Sequence, residues 1–89
     1  MDTQAFEMQL KADGYTEIAT TTRSPMLRNG EHGHHFSVRG LVLDGAFTVV
    51  RNDQPVIYRP GEVFAVDEGC LHCEEIGPEG ARLLTGKKY

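Results

Sequence analysis

His32-Gly33-His34-His35-Phe36-Ser37-Val38-Arg39-Gly40-Leu41-Val42-Leu43-Asp44-Gly45 is the stretch on which the fold turns. Its first half carries two histidines one residue apart, and its second half an apolar run that ends in Asp-Gly. On an extended backbone, residues i and i+2 project to the same face, so His32 and His34 present their imidazoles together. A metal ion needs its imidazole nitrogens about 2.0–2.1 Å away, and neighbouring i, i+2 side chains can converge on such a point. Asp44-Gly45 between two apolar runs is a strong hairpin signal, predicting a strand over 34–43 and its return over 46–51.

Outward from this stretch the chain reads as short strands separated by turn residues. The β-branched run over 15–22 is one strand. Asn52-Asp53-Gln54-Pro55 marks a turn, 56–59 a short strand, Pro60-Gly61 a turn and 62–66 another strand. After Asp67-Glu68-Gly69 come a strand over 70–76, the turn Gly77-Pro78-Glu79-Gly80 and a last strand over 81–85. Seven or eight such strands with no crossover helix predict an antiparallel sandwich or barrel. At ~5–6 residues per strand plus turns, residues 15–86 suffice for it. Linkers, low-complexity tracts and convincing repeats are absent from the sequence.

Residues 2–13 read as the only helix. Asp2 or Thr3 caps its start, Phe6 and Leu10 share a face, Glu7 and Lys11 pair on another, and Gly14 stops it. A helix this short must pack on something to persist. The expected organisation is a helical segment over 1–14 and a β-barrel domain over 15–89. His72 is far away in sequence, at the head of its own strand, and a barrel can bring it opposite the His32/His34 pair.

The bulk numbers limit the function classes. A chain of 89 residues is one domain, and a domain this small buries only about 60% of its unfolded surface, so a homodimer is expected. The net charge is −4 and the 9 basic residues are scattered, which argues against a nucleic-acid partner, since phosphates call for a clustered basic face. No apolar run approaches the roughly 20 residues of a membrane span. Met1-Asp2-Thr3-Gln4 carries no secretory pattern, and 2 cysteines are too few for a disulfide scaffold. A cytoplasmic protein without a membrane partner is the expectation.

Two segments together resemble the paired motifs of the cupin superfamily. The first is the stretch from His32 to Gly45. The second is Gly61-Glu62-Val63-Phe64-Ala65-Val66-Asp67-Glu68-Gly69-Cys70-Leu71-His72. The resemblance covers nearly all of the chain after residue 14, including a short inter-motif segment typical of small single-domain cupins. It implies an all-β jelly-roll barrel with a short N-terminal helix. It also implies that His32, His34 and His72 hold one divalent metal ion inside the barrel. The family's glutamate ligand falls near positions 37–39, where this chain has Ser37, Val38 and Arg39, with Ser37 the best-registered replacement. Asp67 stands where the second motif has Pro, and Ile76 where it has Asn. The expected centre is therefore three neutral imidazoles with open positions for water or an anion, compatible with Fe, Zn, Ni or Mn.

The neighbours of these histidines admit two readings each. His35 points away from His34 into solvent, or substitutes as a ligand if the register slips. Arg39 is predicted to share the inward face with Ser37, Leu41 and Leu43, and to lie near Glu74 beside the metal. That pair either closes one end of the barrel or leaves Arg39 to receive a substrate carboxylate. Cys70 and Cys73 are small buried residues, or Cys70 is an auxiliary ligand or oxidisable thiol. Phe36, Leu41, Leu43, Phe47, Val49, Phe64, Val66 and Leu83 are expected to wall the pocket. Two functions follow. One is a metal-dependent enzyme of oxygenase or isomerase type acting on a small, anionic organic ligand. The other is a non-catalytic small-molecule-binding or sensor cupin with a degenerate or empty metal site. His72 with Glu74 is the only pocket candidate for proton transfer.

Overall fold

The computed structural model describes residues 2–25 and 28–89. Helix α1 spans Thr3–Ala12, and the Asp2 carboxylate caps it by accepting the Gln4 N–H at 3.0 Å. It ends in a Schellman arrangement. Gly14 takes φ +87, its N–H donates to the Lys11 carbonyl, and the Tyr15 N–H donates to that of Leu10. Six strands follow: β1 Thr16–Arg23, β2 Arg28–His32, β3 Ser37–Arg51, β4 Gln54–Tyr58, β5 Val63–Val66 and β6 His72–Lys88.

All strand pairs are antiparallel, and the long strands β3 and β6 pair along almost their whole length. The first part of β3 lies between β5 and the second part of β6, which in turn pairs with β1. The second part of β3 lies between β4 and the first part of β6, which pairs with β2. Six strands thus make two four-stranded halves. Val42, Phe64, Val66, Ala81 and Leu83 of one half pack against Phe47, Val49 and Ile76 of the other. This is the all-β jelly roll with one N-terminal helix that the sequence predicts.

Two predicted turns are not turns. Asp44-Gly45 does not reverse the chain; β3 continues through it to Arg51. The register shifts between Val42 and Asp44 and again between Gly45 and Phe47, so the strand passes from one half to the other here. Gly45 takes φ +80, as a hairpin glycine would, and lies so close to β6 that an added Cβ would sit 2.0 Å from the Gly80 carbonyl oxygen. Gly77-Pro78-Glu79-Gly80 is likewise an excursion within β6 opposite Ala46, between the pairs Phe47↔Ile76 and Gly45↔Ala81. Bulges bend a strand and increase its twist, which lets two strands serve both halves. Asn52 and Asp53, with φ of 50 and 62, do form the β3–β4 turn, while Gln54 and Pro55 already belong to β4.

The shift at 43–46 also reverses which residues of β3 face inward. Val38 and Val42 pack with the interior cluster before it, and Phe47 and Val49 after it. Leu41 and Leu84 face the other way, forming a second core with Phe6 and Leu10 of α1 and the flanking Tyr15, Ile18 and Leu43. The runs Leu41-Val42-Leu43 and Leu83-Leu84 are continuous because this half is covered on both faces. Leu10 is 0% exposed, and burying such a side chain contributes about 1.5–3 kcal/mol. That holds a ten-residue helix too short to stand alone.

Candidate metal centre

His32 ends β2 and His72 begins β6, and the two are direct cross-strand partners. A register shift between Asn29 and His32 turns both residues toward the interior. His34 follows two residues on, in the connection to β3. The three rings converge, with centroids 4.9 Å apart for His32–His34, 4.4 Å for His32–His72 and 5.1 Å for His34–His72. One nitrogen from each ring lies within 4.8 Å of those of the other two. His35 is exposed, as its alternation with His34 requires.

The hydrogen bonds of the rings assign their free nitrogens. A carbonyl oxygen only accepts, so His72 Nδ1 donates to Cys70 O at 3.0 Å and His32 Nδ1 donates to Gly30 O at 2.8 Å. In the neutral ring each Nε2 then carries a lone pair. Metal-binding histidines are oriented by this kind of backbone bond. His34 Nδ1 is buried without a hydrogen-bond partner among the described residues. Burial, reinforced by His72 and then His32, lowers the His34 pKa and so favours its neutral, ligating form. An unsatisfied buried nitrogen beside two oriented imidazoles suits a divalent ion.

The histidines open onto a cavity of about 260 Å³. Val38, Phe47, Phe64, Val66 and Leu83 form its apolar wall, while Arg23, Asn29, Glu74, Thr85 and Lys87 supply polar groups. Phe36 also lines the cavity, stacked on His34 at 4.8 Å with Tyr89 and Lys87 packed on it in turn. Leu41 and Leu43, expected to wall the pocket, pack under α1 instead.

The remaining candidates separate. Glu74 is at the site: Oε2 lies 3.3 Å from His72 Nε2, while Oε1 accepts from Asn29 Nδ2 at 3.1 Å and faces Arg23 Nη1 at 3.8 Å. Arg39 is not. It donates to Asp13 and lies over the Tyr15 ring, 4.6 Å from its centroid, on the face of β3 that carries Leu41. The expected Arg39–Glu74 pair does not exist, because the face shared by Ser37, Arg39 and Leu41 looks toward α1. Ser37 does not take the place of the missing carboxylate, since its Oγ accepts the Glu68 N–H at 3.0 Å and Val38 lines the cavity. Cys70 packs against the interior cluster and serves His72 through its carbonyl, while its thiol faces the Leu71 carbonyl. Sequence reasoning missed Arg23, Asn29, Thr85 and Lys87. Alternation onward from Leu83 along β6 could have found the last two.

The crossing of two long strands and the double-sided sheet half make a small jelly-roll fold of the kind that solved cupin structures share. No family model matches the chain, and no curated protein does. Among solved structures, it is similar to a protein of unknown function from Rhizobium leguminosarum at 20% identity and TM-score 0.74, covering 80% of this chain and 67% of that one. The cupin domain of Schizosaccharomyces pombe Cnp3 matches at 18% identity and TM-score 0.71, covering 80% and 53%. An RmlC-like cupin from Shewanella frigidimarina matches at 19% identity and TM-score 0.67, covering 81% and 65%. The chain thus spans between about half and two thirds of these proteins.

Proposed function

We propose that this protein binds one divalent metal ion (Fe, Zn, Ni or Mn) through His32, His34 and His72, and takes a small organic anion into the adjoining cavity as a metal-dependent enzyme of oxygenase or isomerase type. The convergence of the three donor nitrogens within 4.8 Å of one another carries the reading. When bound, such an ion supplies Lewis-acid chemistry, or redox chemistry if it is iron. The protein's own groups bind and orient the ligand. Phe47, Phe64, Val66 and Leu83 receive its apolar part and exclude water. Lys87, which makes no ion pair among the described residues, offers a cation to its anionic group. His72, locked by the Cys70 carbonyl, keeps its Nε2 on the cavity.

Elemental analysis of purified protein tests this reading. The expectation is about one equivalent of metal in the native chain and a small fraction of that in His32→Ala and His72→Ala. Equal metal content in all three ends it. If iron is found, oxygen uptake with thiols, diketones and small carboxylic acids tests the enzyme. The non-catalytic, small-molecule-binding alternative is favoured by one observation, that β3 turns Val38 rather than a carboxylate to the cavity. Ligand binding that survives chelation, without turnover, selects that alternative. The same proposal includes a cytoplasmic homodimer, which light scattering and cell fractionation check. Among the described residues no helix is long and apolar enough to cross a membrane.

A further inference from the structure

We infer that the cavity selects an aryl monocarboxylate, with Lys87 and Thr85 receiving the carboxylate and Phe47 and Phe64 the ring. The inference rests on the proposal that the cavity takes an organic anion, whose class it names, and not on the metal. Lys87, Thr85 and Leu83 occupy alternate positions of β6, and all three line the cavity. Two residues advance a strand by about 6.6–6.8 Å. The inner face of β6 thus offers a cation, a hydroxyl and an apolar side chain at regular steps. Lys87 makes no ion pair among the described residues. Its Nζ rests over the Phe36 ring, 4.7 Å from the centroid, which holds the ammonium at the cavity without neutralising it. Arg23, the only arginine of the lining, already faces Glu74 at 3.8 Å. Thr85 takes part in no side-chain hydrogen bond among the described residues, so its hydroxyl is free to donate. A carboxylate between the two receives two charge-assisted hydrogen bonds.

The wall beside Thr85 is aromatic for a reason built into β3. Phe64, Gly40 and Thr85 form one row across β5, β3 and β6. A Cβ added at Gly40 would collide with the far end of the Phe64 ring. The glycine therefore lets that ring lean across the row toward Thr85. Phe47 stands 4.7 Å from Phe64 at an interplanar angle of 45°, and both rings line the cavity. A guest ring joins this pair in the tilted and offset contacts that aromatic groups favour. The cavity of about 260 Å³ exceeds the roughly 150 Å³ that encloses benzene. The difference leaves room for a short carboxylate arm reaching Lys87. The competing account is that the Lys87 stem merely covers Phe36, as lysine stems cover apolar surface elsewhere, with no ligand on its ammonium.

Phenylacetate, its neutral isostere phenylacetamide and the aliphatic acid hexanoate are titrated by calorimetry into the native chain, both metal-free and loaded with Zn(II). Phenylacetate is expected to bind at least about tenfold tighter than the amide in both metal states, and tighter than hexanoate. Lys87→Met keeps the stem and removes the charge, and should abolish the preference for acid over amide. Lys87→Arg should restore most of it, and Thr85→Val should weaken phenylacetate by about three- to tenfold. Equal affinity for acid and amide, or an undiminished preference in Lys87→Met, overturns the inference. A preference that exists only with Zn(II) and survives Lys87→Met assigns the carboxylate to the ion; it overturns the inference and leaves the metal reading intact. Binding of hexanoate without phenylacetate removes the aryl assignment alone, and the cavity stands as an anion site. Binding of neither acid in either metal state ends both the cavity reading and this inference. Should Lys87→Met fail to fold by circular dichroism, the comparison of acid with amide in the metal-free native chain still decides.

Discussion

The backbone carbonyl of Cys70 accepts the Nδ1–H of His72 at 3.0 Å, and the carbonyl of Gly30 does the same for His32 at 2.8 Å. Each bond joins a ring to a residue two positions earlier in its own segment. The chain entering β6 and the chain forming β2 therefore each orient their own histidine through a bond local to their own segment.

In metal-free protein, long-range proton–nitrogen spectra of the neutral rings are expected to place the proton of His32 and His72 on Nδ1. Addition of Zn(II) then shifts their Nε2 resonances. A dominant Nε2–H tautomer in both rings would leave no lone pair aimed at the site and defeats the geometry argued above.

Ser37→Ala removes the acceptor of the Glu68 N–H and is expected to cost about 0.5–1.5 kcal/mol of stability. Metal stoichiometry and affinity should stay at the native level. A loss of bound metal would return Ser37 to the centre.

Asp13 and Arg39 tie the end of α1 to β3, and the pH dependence of that tie has a defined sign. The Arg39 hydrogen bond, followed by that of Gln9, holds the Asp13 carboxyl below its ordinary range in the folded protein. A depressed folded value means the contribution is complete above the unfolded value of about 3.9 and disappears as pH falls through the folded one. Asp13→Asn should therefore melt below the native protein at pH 7, and the gap should close below pH ~4. A gap that persists unchanged at pH ~2 would place the stabilisation elsewhere.

Gly45 and Gly61 both have positive φ, +80 and +89, but differ in their surroundings. A Cβ at Gly61 meets nothing within 4 Å, whereas at Gly45 it would lie 2.0 Å from the Gly80 carbonyl oxygen. Gly61→Ala should cost about 1–2 kcal/mol, the left-handed backbone term alone. Gly45→Ala should cost more than about 4 kcal/mol, because backbone must move at the strand crossing. Similar urea midpoints for the two variants would contradict the close approach.

Leu10→Ala empties a fully buried position under the sheet and is expected to cost about 2–5 kcal/mol. The histidine cluster lies in the other core, so metal affinity of the folded variant at low temperature should change by less than about threefold, because distant sites act nearly independently. Calorimetric melting and metal titration on one preparation read both.

What was legible in the sequence followed the periodicities that survive folding intact. Phe6 and Leu10, four apart with a glycine stop beyond, specify the helix and its buried face. His32 and His34, two apart on extended backbone, specify their convergence. The errors share one cause. Residues 39, 41 and 43 follow the alternation expected of them, but the face they share lies under a helix and not on the cavity. The shift at 43–46 then reverses inside and outside without any change in composition to announce it. Asp44-Gly45 carries the local chemistry of a hairpin, and its positive φ is real, but tertiary pairing with β6 spends that conformation on a bend. Glu74 was found by alternation from His72, whereas its anchors Asn29 and Arg23 arrive through pairing and bulges that no local pattern encodes.

Leu41 and Val42 are adjacent, yet one packs beneath the helix and the other against the cavity core. That half of the sheet is a party wall between two rooms, one backbone thick. A guest that enters the inner room binds only the folded sheet, so it raises the melting temperature of the whole chain by mass action. The melting of α1 thereby becomes a remote gauge of whether the inner room is occupied, readable without any probe placed inside it.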